Sequence, residues 1–188
     1  STLLDLIKPS TGEVLNNDIN VRTSEDWKSF TSAFLDESFL IGYLMPEEYF
    51  YFVGELRNFS KKQVDDFLTD FEDLFNNEIL GGKKYIRDLS KGNQKKVGIV
   101  AALIGDPKVI VLDEPFANLD PTTQIRLKKI IKNLSKKEDV TVLVSSHDLQ
   151  DVTEVSDRIV LLEKGLIIKD IKKTTKTLKD LESYFTKE

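Results

Sequence analysis

Two acidic residues follow a short apolar run in the second half of the chain. Residues 109–112 read Val-Ile-Val-Leu, between Pro107 and the pair Asp113 and Glu114. A run with these bounds is typical of a fully buried strand in a parallel sheet, and side chains that do chemistry gather beyond the carboxyl ends of such strands. Asp113 could hold a magnesium ion there, and Glu114 could polarise or deprotonate water. The alternative interpretation is a pair of acids that caps a loop.

A second apolar run, residues 140–144, precedes Ser145, Ser146 and His147. It predicts another buried strand, so His147 would lie at the carboxyl end of a neighbouring strand, where its ring could contact a γ-phosphate. A single histidine in a short motif is more often structural than catalytic. Taken alone, the motif therefore favours a structural role for His147.

An anion site is predicted at the start of a helix. Residues 89–94 read Leu-Ser-Lys-Gly-Asn-Gln, and Ser90 would cap the helix that follows. A hydroxyl and free backbone N–H groups at a helix N-terminus attract phosphate, so Ser90 and Gly92 could contact one. An ordinary capped helix explains the same residues. Asp120, which precedes Pro121, is likewise typical of a plain helix start.

The elements that must position these residues follow from periodicity and capping. Strand and helix patterns alternate after residue 104 and predict an α/β fold with a parallel sheet, whereas residues 46–104 contain only helical patterns and would form a lobe beside it. The other predicted elements are helices beginning at Pro46, Ser60 (in a capping box with Gln63), Ser90 and Pro121, helices over 149–155 and 177–185, a hairpin over 158–169, a strand over 13–15, and a helix over residues 1–7 that is cut at its start.

We predict a single domain over residues 1–188 in three parts. Residues 46–104 form a helical subdomain, residues 105–169 the catalytic core, and residues 170–188 a helical tail. The hydrophobic fraction of 40% is sufficient for one sizeable core.

Composition excludes several classes of protein. The net charge of −5 argues against nucleic-acid binding, which relies on clustered positive charge. Lysines, including Lys95 and Lys96, are interleaved with acids, and we interpret them as a solvated face. The chain has no cysteine, which rules out disulfides. Its longest apolar run, residues 97–105, is far shorter than the roughly 20 residues that span a bilayer.

The order and spacing of the motifs resemble those of the ABC ATPases. Residues 90–94 resemble their signature motif, residues 109–114 their Walker B strand with its catalytic glutamate, residues 117–120 their D-loop, and residues 146–148 their H-loop. The resemblance covers nearly the whole chain, and four motifs in the family's order are jointly very specific. It implies a P-loop NTPase-like, mostly parallel α/β sheet with flanking helices and a helical lobe.

The resemblance also implies ATP and Mg²⁺ as cofactors and gives roles to six of the residues above. Those roles are Asp113 as a magnesium ligand, Glu114 as the group that activates water, His147 as a contact to the γ-phosphate, Ser90 and Gly92 as contacts to ATP held by a second ATPase domain, and Asp120 as the residue that couples the two sites.

This sequence departs from the family pattern in two places. Lys91 replaces the first glycine of the signature, and Asn93 replaces its final glutamine. In the Q-loop, one alignment places Asp36 where the family has its glutamine and another places Glu47 there. We prefer Asp36, because the downstream helix then falls in register. In either case an acid replaces the amide and could hold magnesium or water.

Ser1 and Thr2 resemble the end of the family's P-loop. Ser1 would be a magnesium ligand, and Thr2 would lie near the α-phosphate. The glycine-rich loop, its lysine and the first strands have no counterpart in the sequence. We therefore expect that the N-terminal strands are missing and that these 188 residues alone neither bind ATP tightly nor hydrolyse it.

The resemblance implies an ATP-hydrolysing motor subunit of an ABC transporter. Residues 46–50, followed by Leu56 and Arg57, look most like bacterial export-type subunits. A head-to-tail pair of ATPase domains, identical or different, would drive export by a separate membrane permease. The chain would then be cytoplasmic and peripheral on the inner face of the cell membrane.

Two alternatives to a transporter subunit stay open. One is a soluble ABC ATPase of DNA repair or translation, and the other is a degenerate nucleotide-binding module. Several aromatic residues could line a groove for the permease or fill the core of the lobe; they are Phe34, Phe39, Tyr43, Phe50 and Phe52.

Overall fold

The computed structural model describes residues 1–185, so residues 186–188 of the predicted tail lie outside the described part. The strands are β1 (Leu15–Asn16), β2 (Ile19–Asn20), β3 (Thr31–Phe34), β4 (Val109–Asp113), β5 (Thr141–Ser145), β6 (Arg158–Glu163) and β7 (Leu166–Lys172). The helices are α1 (Pro46–Leu56), α2 (Lys61–Thr69), α3 (Glu72–Phe75), α4 (Lys91–Leu103), α5 (Pro121–Leu134), α6 (Leu149–Val155) and α7 (Thr177–Phe185). Within residues 1–185, every helix is too short or too polar to cross a membrane.

Three parallel strands form the central sheet in the order β3–β4–β5. Ile110 and Leu112 of β4 are fully buried, as expected for a strand covered on both faces. The predicted α/β fold with a parallel sheet is therefore confirmed. β3 was not predicted, because its residues Thr-Ser-Ala-Phe show neither an apolar run nor a clear alternation. It pairs with β4 from Thr31 opposite Val109 onwards.

The prediction that residues 140–144 form a buried strand is right about the strand and wrong about its burial. Residues of β5 are alternately exposed and half-buried, and Leu143 is 51% exposed. Val142 and Val144 pack against the core, whereas Leu143 faces the opposite side. Within residues 1–185, β5 pairs only with β4 and is an edge strand, so an apolar run alone overestimated its burial.

Local capping explains where the first two helices begin. Pro46 occupies the first turn of α1, and Glu48 accepts a hydrogen bond of 2.8 Å from the backbone N–H of Met45. Ser60 and Gln63 form the predicted capping box at α2, in which each side chain accepts from the backbone N–H of the other residue.

Helix α4 joins the helical segment to the sheet through close packing. A Cβ atom built on Gly98 would lie 2.3 Å from the ring of Phe34 in β3, so only a glycine permits this approach. Val97 and Val100 are fully buried beside it. The core is continuous from α1 to α5, and it fixes α4 against the ends of the strands.

The two ends of the described chain behave differently. The predicted helix over residues 1–7 is a single 3₁₀ turn, Thr2–Leu4, which ends at Asp5 in a left-handed conformation. The strand predicted over 13–15 is β1, which starts at Leu15 and pairs with β2. The helix α7 spans 177–185 as predicted, and the hairpin of β6 and β7 forms where it was predicted but is longer. β7 continues to Lys172, so residues 170–172 of the predicted helical tail are strand instead.

Candidate functional site

The site is built where β4 and β5 end. Asp113 of β4 lies opposite Ser145 of β5, and the Ser145 hydroxyl donates a short hydrogen bond to the Asp113 carboxylate. The backbone N–H of Glu114 donates to both the carbonyl and the hydroxyl oxygen of Ser145, at 3.2 Å each. Parallel pairing therefore brings the two sequence-predicted acids against the end of the neighbouring strand.

The carboxylate of Glu114 contacts the ring of His147. Nδ1 of His147 lies 2.9 Å from Oε1 of Glu114. The hydrogen bond and the negative charge of Glu114 raise the pKa of His147 above its usual value. Both side chains remain open to solvent, so a water or a phosphate group can reach them. The arrangement pairs a carboxylate with an imidazole ring whose charged form that carboxylate favours.

The backbone of Glu114 is strained. Its φ of 45° lies in the left-handed region, which is uncommon for a residue other than glycine. Such a conformation costs of the order of 1–3 kcal/mol and persists only where the surroundings support it. Here the Glu114 carbonyl accepts from Lys95 Nζ at 2.9 Å and from the Ala117 N–H at 3.3 Å.

Asp36 lies just beyond the end of β3, at the same edge of the sheet. Its carboxylate accepts from the backbone N–H of Ser38 at 2.5 Å and caps the 3₁₀ turn Glu37–Phe39. Hydrogen bonding to Ser38 lowers the pKa of Asp36. The other Q-loop candidate, Glu47, lies in the first turn of α1 and accepts from the N–H of Gly81. Of the two acids, Asp36 is therefore the one that directly follows a strand of the central sheet, and its role as a magnesium ligand stays a prediction.

Ser90 and Gly92 lie at the N-terminus of α4. The Ser90 hydroxyl accepts from the backbone N–H of Asn93 at 3.2 Å, which confirms it as a helix cap. A Cβ atom on Gly92 would lie 3.3 Å from the carbonyl oxygen of Asn118, so this helix end packs on the loop before α5. The phosphate contacts predicted for Ser90 and Gly92 remain predictions.

Asp120 caps α5. Its carboxylate accepts from the backbone N–H of Thr123 at 3.0 Å and from the Thr123 hydroxyl at 2.5 Å. These hydrogen bonds lower the pKa of Asp120. Within one chain the Asp120 side chain thus acts as a helix N-cap, which agrees with the simpler of the two interpretations of the sequence. Its predicted coupling role requires a second domain.

Within residues 1–185, Ser1 and Thr2 form no hydrogen bonds with the other predicted site residues. Their carbonyl oxygens accept from the N–H groups of residues 4–6, and nowhere in residues 1–185 does a hydrogen bond link either of them to Asp113. The structure thus brings together Asp113, Glu114 and His147, and it leaves the roles of Ser1 and Thr2 as predictions.

The donor set suits a magnesium ion that is shared with a phosphate. Among residues 1–185, no group of three or more His, Cys, Asp or Glu side chains could hold a metal alone. Mg²⁺ usually takes one or two carboxylates, several waters and the phosphate oxygens of its substrate. Asp113, with a hydroxyl beside it, fits that kind of partial site.

The interpretation of Lys95 and Lys96 as solvated is wrong. Both residues are 5% exposed, and they lie on α4 among apolar neighbours. Interleaved charge along the sequence suggested a solvated face, whereas every position of α4 from Gln94 to Leu103 is buried. Because all faces of this part of the helix are covered, the sequence has no helical periodicity that marks Lys95, which contacts the site.

Comparison with known proteins finds a matching family, two similar relatives and a similar solved structure. The family described as "AAA domain, putative AbiEii toxin, Type IV TA system" matches residues 10–150. The Energy-coupling factor transporter ATP-binding protein EcfA2 of Staphylococcus epidermidis is 30% identical over 174 residues, which are 87% of this chain and 59% of that protein. The Glycine betaine uptake system ATP-binding protein YehX of Escherichia coli is 29% identical over 116 residues, 62% of this chain and 38% of that protein.

A solved structure, the ATP-binding subunit of an ABC transporter, superposes with a TM-score of 0.80 at 23% identity. The superposition covers 98% of this chain and 74% of the chain in that structure. At 23% identity, the similarity shows a shared fold. The chain spans 59% or less of the length of the two relatives named above.

Proposed function

The chain belongs to the AAA domain family and is an ABC-type nucleotide-binding domain, and we propose that it is part of a protein that binds and hydrolyses ATP. The contact between Glu114 and His147 carries the proposal. It places a carboxylate and an imidazole ring 2.9 Å apart at the carboxyl edge of the sheet, both open to solvent. A carboxylate in this position can orient a water molecule, and the ring beside it can face a terminal phosphate.

Each residue of the edge has a separate task in this mechanism. Glu114 accepts a proton from, or polarises, the attacking water. His147 donates a hydrogen bond to the γ-phosphate, and its raised pKa keeps the ring cationic to a higher pH than usual. Asp113 and Ser1 would hold Mg²⁺, with Asp36 as a further ligand, and the bound ion would neutralise phosphate charge.

We further propose that a second ATPase domain completes the site. Ser90 caps a helix of 13 residues. In residues 1–185 the N–H groups of Lys91 and Gly92 meet no acceptor, so they are free to receive a phosphate from outside the chain. In a head-to-tail pair, Ser90 and Gly92 of one domain would face ATP held by the other. Asp120, in the loop packed beneath Gly92, would couple the two sites.

The partner we propose is a separate membrane permease, with the ATPase at the inner face of the membrane. The relatives named for transport support this assignment. Of the aromatic candidates, Phe34 and Phe50 fill the core, whereas Phe39, Tyr43 and Phe52 are exposed and available to a partner. The lobe sequence predicts export, whereas the name of the Escherichia coli relative favours import. A transport assay with the complete complex decides the direction of substrate movement.

Replacing Glu114 in the complete protein tests the activity. Glu114→Gln should lower ATP turnover by about 10²- to 10⁴-fold, because the amide is a poor base, while ATP stays bound in a stable dimer. Glu138→Gln, in the loop after α5, is the matched control and should hydrolyse ATP normally. Unchanged turnover in Glu114→Gln would contradict the proposal and favour a degenerate module.

Isolation of the complex distinguishes transport from a soluble role. A transport ATPase should copurify with a multi-span membrane protein that raises its ATP turnover. Association with DNA or ribosomes, and no membrane partner, would favour the soluble alternative.

A further inference from the structure

The side chain of Lys95 joins three parts of the molecule that are far apart in sequence. Lys95 lies in the second turn of α4, and its ammonium group donates a hydrogen bond of 2.9 Å to the backbone carbonyl of Glu114. The same nitrogen lies 3.8 Å from Oε1 of Glu37, in the 3₁₀ turn after β3. One buried charge thus touches the loops that follow two neighbouring strands.

Lys95 and Glu37 are largely withdrawn from solvent, so their charged groups need partners within the protein. The side chain of Lys95 is 6% exposed and that of Glu37 is 17% exposed. An ammonium group withdrawn from water requires acceptors, and hydrogen bonds of charged groups are shorter and stronger than neutral ones. Without Lys95, the Glu114 carbonyl would keep only the longer hydrogen bond from Ala117.

The bond acts on a residue whose backbone conformation needs support. Glu114 has a left-handed φ, and Ser145 anchors its N–H side. Lys95 anchors the carbonyl side. Because the side-chain direction depends on the backbone torsions, loss of either anchor would let the backbone relax and the carboxylate move away from His147.

We propose that Lys95 is a positioning residue. Its hydrogen bond holds the backbone of Glu114 against α4, and the backbone in turn sets the direction of the Glu114 carboxylate. The inference rests on the proposed function only in so far as Glu114 is the base. The geometric claim stands on the contacts of Lys95 and can be tested without ATP.

Lys96 is a matched control that the chain itself supplies. It is the next residue on α4, its side chain is also 6% exposed, and it lies 3.7 Å from the carboxylate of Glu78. Lys95→Met and Lys96→Met therefore each remove one buried ammonium group and its ion pair with a glutamate. Only Lys95 contacts Glu114.

The first test follows the ring of His147 by NMR, because His147 is the only histidine of the chain. In Lys95→Met the Glu114 carboxylate should move away, and the pKa of His147 should fall towards the value found in Glu114→Gln. Mere loss of a nearby positive charge would raise that pKa instead. Lys96→Met should leave the contact intact, so its pKa should not fall.

A pKa of His147 that is unchanged or raised in Lys95→Met overturns the proposal, as does an equal fall in Lys96→Met. Should Lys95→Met fail to fold, Lys95→Gln replaces it. Its amide is one atom too short to reach the Glu114 carbonyl, so the same fall is expected.

The second test measures steady-state ATP turnover in the complete protein. Lys95→Met should lower kcat by about 10- to 100-fold with little change in KM, because a displacement of about 1 Å at a reacting group has effects of that size. Lys96→Met should retain kcat, and an equal loss there contradicts the proposal. If the wild-type protein hydrolyses no ATP and Lys95→Met still lowers the pKa of His147, the proposed function fails and the positioning role stands.

Discussion

Nδ1 of His147 lies 2.9 Å from Oε1 of Glu114, although the two residues are 33 positions apart in the sequence. Each follows its own parallel strand, and the pairing of β4 with β5 brings their side chains to the same edge. The contact therefore depends on the register of the sheet. It links the protonation of His147 to the carboxylate of Glu114.

His147 should titrate above the usual range of histidine, because the Glu114 carboxylate favours the charged ring. For a raised folded-state pKa, this contribution to stability is fully present below the pKa of the unfolded chain and is lost as the pH rises through the folded-state pKa. An NMR titration of the single imidazole checks this. Glu114→Gln should lower the pKa of His147, and Glu138→Gln should not. A wild-type pKa at or below the usual value would contradict the contact.

Gly98→Ala should destabilise the fold. The added Cβ would lie 2.3 Å from the buried ring of Phe34, and overpacking of this kind costs about 1–3 kcal/mol. Alanine recovers up to about 1 kcal/mol of helix propensity, which is less than the upper part of that range. We expect a net loss of about 1–2 kcal/mol in the free energy of unfolding, measured by urea denaturation.

Gly82→Ala is the control for that measurement. Apart from Gly82 itself and its two chain neighbours, no described residue has an atom within 4 Å of the added Cβ, so the denaturation midpoint of Gly82→Ala should stay close to that of the wild type. Equal stability of Gly98→Ala and the wild type would show that α4 does not press on β3.

Arg57→Met should also lower stability. The guanidinium group donates to the backbone carbonyls of Lys28, Ser29 and Thr31 at 2.6–2.9 Å, and it ties the end of α1 to the start of β3. Hydrogen bonds to charged groups contribute about 1.5–3 kcal/mol, so we expect a loss of about 2–3 kcal/mol for the set, because water replaces some of them. Thermal unfolding measures the difference.

Arg158→Met serves as the comparison for Arg57→Met. Arg158 forms a bidentate but solvent-exposed ion pair with Asp170. Exposed pairs contribute about 0–1 kcal/mol, and because of its bidentate geometry we expect this pair at the upper end of that range. A loss in Arg57→Met no larger than in Arg158→Met would indicate that Arg57 does not link α1 to the sheet.

Gly92→Ala should lower ATP turnover while leaving stability almost unchanged. Its Cβ would lie 3.3 Å from the Asn118 carbonyl, so the loop before α5 must shift by a few tenths of an ångström. If Gly92 faces ATP of a second domain, we expect turnover to fall about 10-fold or more. Normal turnover in the complete protein would remove Gly92 from the proposed site.

Local signals were sufficient for the elements and for the residues that end them. The run over β4, the capping box at Ser60, Ser90 at α4 and Pro121 at α5 each depend on neighbours within one or two turns, so the sequence alone located them. The acids Asp113 and Glu114 were found for the same reason. Their place follows directly from the end of a recognisable strand.

Only the tertiary structure decided which residues meet. β3 has no local pattern and exists because its backbone pairs with β4, and β5 is half-exposed because it pairs on one side within residues 1–185. Lys95 and Lys96 look like surface charge along the chain, yet they are buried because α4 packs on both the strand ends and the other helices. Burial and long-range contact depend on how elements pack together, and no short stretch of sequence contains that information.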